Sequence, residues 1–155
     1  ELNIAYRQLR ELLTTFRLKL NEATLQAALQ NLVNEFSERA NLPITLDFNL
    51  PSDFVPNHQA IHRVNIAREA LNNIYKHAHA TEAVVKVTAE QGDVVMSIID
   101  NGCGIGQTNK RPNHYGLMIM QDRAASLNGQ CDIHQRDVGG TEVQVRFTPD
   151  NNDLV

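Results

Sequence analysis

The apolar run Val94-Val95-Met96-Ser97-Ile98-Ile99 ends on a carboxylate, Asp100, and is followed at once by Asn101-Gly102-Cys103-Gly104-Ile105-Gly106. Bounded upstream by the turn signal Gln91-Gly92-Asp93, the run reads as a buried strand. A charged group therefore stands where a strand leaves the core, in front of glycines that allow positive φ and a close approach to a flat or phosphorylated ligand. Asp-x-Gly-x-Gly alone also fits an ordinary loop. Two further segments weigh against that: Arg68-Glu69-Ala70-Leu71-Asn72-Asn73-Ile74-Tyr75-Lys76-His77 upstream and His114-Tyr115-Gly116-Leu117 downstream.

Hydrophobic spacing supplies the framework. Leu2, Leu9, Leu12, Leu13, Phe16 and Leu20, with basic residues between them, predict an amphipathic helix over residues 2 to about 20 that has no partner strand nearby. Thr24 can cap a second helix through about Ala40, with Leu25, Ala28, Leu29, Leu32, Val33 and Phe36 on one face. Ile44-Thr45-Leu46-Asp47-Phe48 alternates as a half-buried strand does, and the longest helical pattern runs from about Asn57 to Ala78. Glu82–Ala89 and Val94–Asp100 pair around Gly92, and Gln107–Asn113 reads as a mobile polar loop. A helix over Tyr115–Leu127 stops at Asn128-Gly129, and Gln130–Gln135 with Thr141–Thr148 forms a closing hairpin. Helices and hairpins segregate without strand–helix alternation. The fold class is therefore α+β: a two-layer α/β sandwich with a mixed, mostly antiparallel sheet of about five strands packed against three helices.

In the long helix, Glu69 and Asn73, with Lys76 or His77 beyond them, share one face while Leu71 and Ile74 turn toward the core. A solvated polar face is the plain reading. A carboxylate, a carboxamide and a cation on one face also suit Mg²⁺-assisted phosphoryl transfer, because magnesium takes few protein oxygens and completes its octahedron with water and phosphate.

The three segments, in this order, resemble the ATP-binding domain of two-component sensor histidine kinases in the gyrase/Hsp90/histidine-kinase/MutL superfamily. Ala5-Tyr6-Arg7-Gln8-Leu9-Arg10-Glu11-Leu12-Leu13-Thr14-Thr15-Phe16-Arg17 is similar to the end of the phosphoacceptor-helix region in the nitrate/nitrite sensor kinases. The likeness runs from about Ala5 to Phe147. It implies a Bergerat-type ATP-binding fold, with ATP and Mg²⁺ as cofactors. It implies Asn73 as the metal ligand, Glu69 as the catalytic carboxylate, and Lys76 and His77 at the phosphates. Asp100 would read the adenine amine, with Thr141 sharing a bridging water and Gly102, Gly104 and Gly106 keeping the loop close to the base. Tyr115, Gly116 and Leu117 open a helix whose free N–H groups can meet phosphate oxygens, with His114 adding a donor. The resemblance divides the chain into residues 1–20, the remnant of the dimerisation region, residues 21–149, the ATP-binding domain, and a frayed tail at residues 150–155. Its expected partners are its own dimerisation and phosphoacceptor domain, a response-regulator receiver domain, and a second copy in a parent homodimer. The parent would be an inner-membrane protein with this domain on the cytoplasmic side.

Other chemistries fit less well. No Gly-x-x-x-x-Gly-Lys-Ser/Thr motif occurs, and Gln107 breaks Gly-x-Gly-x-x-Gly after Gly102 and Gly104. His58 and His62 have helical metal-ligand spacing without an acidic or Cys partner, and His77/His79 is weaker still. Cys103 has no base beside it in sequence, and Cys131 alternates with Ile133 as a core residue would. The formal charge of −4 and scattered basic residues argue against nucleic acid and against direct membrane contact. The chain starts at Glu1, which reads as a fragment of something longer, and none of its six His has a phosphoacceptor context. It is expected to bind ATP without phosphorylating itself. The alternatives are a clamp-type ATPase of the same superfamily and an inactive interaction module.

Overall fold

A computed structural model describes residues 2–21, 24–51, 54–56, 59–103, 114–126 and 128–149. The expected loop at 107–113, Gly104, Gly106, His58 and the tail at 150–155 lie outside them. The elements run α1 (Leu2–Asn21), α2 (Leu25–Ala40), β1 (Ile44–Asn49), α3 (Ala60–Asn73), β2 (Ala83–Glu90), β3 (Asp93–Asp100), α4 (His114–Ser126), β4 (Gln130–Gln135) and β5 (Thr141–Phe147). Five strands form one sheet in the order β1-β2-β3-β5-β4. Only β1 and β2 run parallel, a pairing that requires a crossover, and α3 lies within it. The remaining pairs are antiparallel, so the mixed sheet and two-layer α+β class follow the sequence reading.

The core lies between the sheet and helices α2, α3 and α4. Leu29, Leu32 and Phe36 of α2 and Ile66, Ala67 and Leu71 of α3 meet Val85, Val87, Met96, Ile98, Val145 and Phe147 of the sheet, joined by Met120 of α4. The heptad-like steps in α2 explain its burial, and Thr24 caps it as expected, its Oγ1 accepting the Ala27 N–H at 3.1 Å. Central β3 is buried on both faces. Its outer residues Val95 and Ser97 stand opposite Arg146, Lys86 and Gln144 of the flanking strands.

Helix α1 inverts the usual arrangement. Leu2, Leu9, Leu12 at 67% and Phe16 at 63% are exposed, whereas Arg7, Arg10, Glu11 and Thr14 are the half-buried side. Two ion pairs hold that polar side to the domain: Arg7 with Glu69 of α3, and Glu11 with Arg123 of α4.

Candidate functional site

The site residues gather around the ends of α3 and β3. The long helix does not stay α-helical to Ala78. Its last turn, Ile74–Ala78, is a π turn closed by His79 in the left-handed region at φ 50°. The wider i→i+5 turn changes which side chain follows Asn73 along the face. Lys76 is exposed and His77 is half-buried, so the two are not interchangeable as the α-helical spacing supposed. Single π turns recur at functional sites, and nothing in the local sequence announced this one.

The loop after β3 is stitched to that turn. The Cys103 N–H donates to the Ala78 carbonyl at 2.8 Å, and the Cys103 Sγ lies 3.4 Å from the His77 carbonyl, which accepts from it. A Cβ on Gly102 would overlap the Ala78 carbonyl, so glycine is required here by close packing of chain on chain. Asn101 holds the other side. Its Oδ1 accepts from the N–H groups of Thr81 at 2.9 Å and Glu82 at 3.1 Å, while its Nδ2 donates to Thr81 Oγ1 at 2.8 Å. Residues 101–103 are thus the joint between the helix end and the sheet.

Asp100 is only 4% exposed. Its Oδ1 accepts the Gly102 N–H at 2.8 Å, and the Thr141 N–H also bonds its carboxylate. Burial pushes the carboxyl above its ordinary value, and the two N–H groups and the Arg136 charge oppose that shift. Thr141 begins β5 immediately beyond the Ile99–Glu142 pair, so a residue far away in sequence comes beside Asp100. Gly140, at φ 90°, packs so tightly that an added Cβ would overlap the Asp100 carbonyl oxygen.

Glu69 is 7% exposed on α3, one turn before the half-buried Asn73. Arg7 Nη2 approaches its Oε1 at 3.4 Å, an electrostatic contact only, since Oε1 accepts no hydrogen bond. A second buried oxygen that accepts no hydrogen bond, Asn65 Oδ1, lies one turn earlier on the same helix. Burial, then the Lys76 and His79 charges, hold the His77 imidazole below its usual pKa, so it is neutral at physiological pH. His114, Tyr115, Gly116 and Leu117 form the first turn of α4, which packs beside α3. Cys131 is half-buried and packed against the core, as its alternation suggested, and burial pushes its thiol up to about 11.

The geometry brings Glu69, Asn73 and His77 to one helix and Asp100, Gly102 and Thr141 to one sheet end, with Cys103 joining the two. Reasoning from sequence missed Asn101, Arg136 and Arg7. Asn101 carried a signal in its place between Asp100 and Gly102, whereas the two arginines act across long sequence separations.

Among the described residues no helix is long and apolar enough to cross a membrane. The chain is 51% identical to the nitrate/nitrite sensor protein NarX of Escherichia coli over 97% of its length, covering 25% of that relative. It is 44% identical to Escherichia coli NarQ, also a nitrate/nitrite sensor protein, over 94% of its length and 26% of the relative. The chain therefore spans about a quarter of these proteins. The blue-light activated histidine kinase of Erythrobacter litoralis shares the fold, with a TM-score of 0.77 at 16% identity over 97% of this chain and 56% of that one. Acinetobacter baumannii histidine kinase AdeS shares it with a TM-score of 0.67 at 13% identity, over 97% of this chain and 81% of that one. Residues 58–151, which hold α3, the β3 loop and the closing hairpin, match the family of histidine kinase-, DNA gyrase B- and HSP90-like ATPases, and the chain belongs to it.

Proposed function

We propose that this chain is the ATP-binding catalytic domain of a nitrate/nitrite-type sensor histidine kinase. In this reading it transfers the γ-phosphoryl group to a histidine on a dimerisation helix outside this sequence, from which the group passes to a response-regulator aspartate. The observation that carries the reading is the joint at Ala78–Cys103, which holds a buried, ionisable Asp100 at one end and the Glu69–Asn73 face at the other. The identity to NarX and NarQ supports the branch.

Asp100 accepts the exocyclic amine of adenine, and Thr141 and Asp100 share a bridging water. Gly102 keeps the chain leaving β3 close to the base, and the roles expected of Gly104 and Gly106 fall outside the described residues. The donor set suits Mg²⁺: Asn73 offers one hard amide oxygen beside a buried Glu69 oxygen without a hydrogen bond. Among the described residues no cluster of three His, Cys, Asp or Glu is arranged to hold a metal, so phosphate oxygens and water would complete the octahedron. Bound there, the ion supplies charge neutralisation at the phosphates. Lys76 adds a mobile cation and His77 a neutral hydrogen-bonding group, while His114, Tyr115, Gly116 and Leu117 present helix N–H groups to the phosphates. Glu69 accepts or orients a proton at the reacting centre; positioning dominates.

The exposed apolar face of α1 fits this reading as the end of a dimerisation region, covered by the rest of the parent and its second copy. The parent is then a membrane-anchored homodimer with this domain in the cytoplasm. Incubation with γ-labelled ATP tests the proposal. The chain alone should bind ATP, turn it over very slowly and carry no acid-labile label, and label should appear on an added His-bearing dimerisation domain. Brisk hydrolysis by the chain alone would favour a clamp-type ATPase, and no nucleotide binding would favour an inactive interaction module.

A further inference from the structure

Arg136 stands directly after β4, at the entry to the hairpin turn that leads to Thr141. Its backbone closes the turn: the Arg136 N–H donates to the Gly140 carbonyl at 2.9 Å, and the Gly139 N–H donates to the Arg136 carbonyl at 3.1 Å. Its side chain then leaves the hairpin. Nη1 donates to the Asp100 carbonyl at 3.1 Å and to the Gly139 carbonyl at 3.4 Å. Among the described residues no carboxylate side chain forms an ion pair with this guanidinium.

A half-buried arginine held by neutral carbonyls has given up part of its hydration, and the gain must lie in what it holds together. Here it bridges the end of β3 to a turn whose Gly139 and Gly140 have φ of 101° and 90°. Gly140 is in contact with the same Asp100 carbonyl that Arg136 binds. Side chain and turn therefore grip one peptide group from two sides.

We propose that Arg136 is a positioning residue for recognition of the nucleotide base, fixing the Asp100 carboxylate and the start of β5 as one rigid unit. The proposal rests on Asp100 as the adenine-reading group and extends it to the group that sets its geometry. The charge of Arg136 adds a second effect, because among the described residues it is the charged side chain that acts on the Asp100 carboxylate; the other partners there, the Gly102 and Thr141 N–H groups, are neutral. Arg136 thereby favours the ionised form, which accepts from the adenine amine. The same carboxylate repels a carbonyl oxygen at that place, as guanine would present, so Arg136 also serves the choice between purines.

The test compares wild type, Arg136→Ala and Arg136→Lys in ATP and GTP binding by calorimetry from pH 5 to 8, with a thermal melt of each. Arg136→Ala should weaken ATP about three- to tenfold, the worth of one or two hydrogen bonds, and narrow the ATP-to-GTP preference by a similar factor. Its acid loss of ATP binding should begin at higher pH, because removing a cation favours the protonated carboxyl. Arg136→Lys should restore the acid limb, since the charge returns, while leaving part of the selectivity loss. A merely structural arginine would weaken both nucleotides equally and leave the pH profile unmoved, which would overturn the proposal. Asp100→Ala serves as the reference: equal ATP affinity in that variant would remove the adenine assignment itself. A normal Asp100→Ala loss beside an unaffected Arg136→Ala would remove the Arg136 role alone.

Discussion

The two ends of the site are built from different materials. At the end proposed to read the base, backbone meets backbone. Asp100 is bonded by two N–H groups, Gly140 and Gly102 stand where any side chain would collide, and Asn101 ties the loop to the chain before β2. At the end proposed to hold the phosphates, side chains project from helices: Glu69 and Asn73 from α3, Lys76 and His77 from a π turn. There, buried oxygens of Glu69 and Asn65 accept no hydrogen bond, and Lys76 is exposed. A recognition surface that rejects wrong bases gains from a geometry fixed in advance, and close-packed backbone supplies it. A surface proposed to handle phosphate charge and metal gains from oxygens that accept no hydrogen bond, since a buried acceptor left without one costs free energy that a ligand recovers.

If this contrast is right, the base end should be the more costly to disturb. Gly140→Ala combines positive φ with a collision against the Asp100 carbonyl and should destabilise the fold by about 2–5 kcal/mol in denaturant unfolding. A loss below about 1 kcal/mol would mean that this joint yields, and the contrast would collapse.

At the other end, Asn73→Ala should leave the melting temperature nearly unchanged and spare metal-free nucleotide binding. It should lower the gain in affinity from added Mg²⁺ by about tenfold. An unaltered Mg²⁺ response in titration would place the metal elsewhere.

The smallest effect sharpens the contrast through pH. Burial raises the Asp100 carboxyl above the ordinary 3.8, so the folded chain holds this proton more tightly than the unfolded chain. Its contribution to stability is therefore full below that value and is lost as pH rises through the folded pKa, at a slope of no more than about 1.4 kcal/mol per pH unit. ATP affinity should move the opposite way, falling as pH drops through the same window, because the proposed acceptor of the adenine amine is the carboxylate. Unfolding and binding titrations that ran in parallel would contradict the assignment of Asp100.

Much of this arrangement was legible in the order of residues. The alternating and three-to-four-residue apolar patterns placed every described strand and helix to within a few positions, although the face of α1 that carries its apolar residues is exposed and β3 is buried on both faces. Asp100 was visible because a carboxylate at a strand end before glycines is a local pattern. The importance of Gly140 was not, since it depends on β5 lying next to β3, a pairing between segments far apart in the chain. Arg136 and Arg7 were invisible for the same reason, and their partners are a backbone carbonyl and a carboxylate on another helix. The π turn left no trace in the side-chain pattern, so the exposure of Lys76 and the partial burial of His77 had to be seen. The roles proposed for Gly104, Gly106 and the loop at 107–113 concern residues outside those described.

The two ion pairs on α1 have a consequence for how that helix can move. Arg7 and Glu11 are one turn apart on the same side, facing a carboxylate on α3 and a guanidinium on α4. Sliding α1 along its axis by one turn, about 5.4 Å, would set Glu11 against Glu69 or Arg7 against Arg123 according to direction. Either displacement brings like charges together. The helix therefore has a single electrostatic register on the domain, and a displacement along its axis meets a detent at that position.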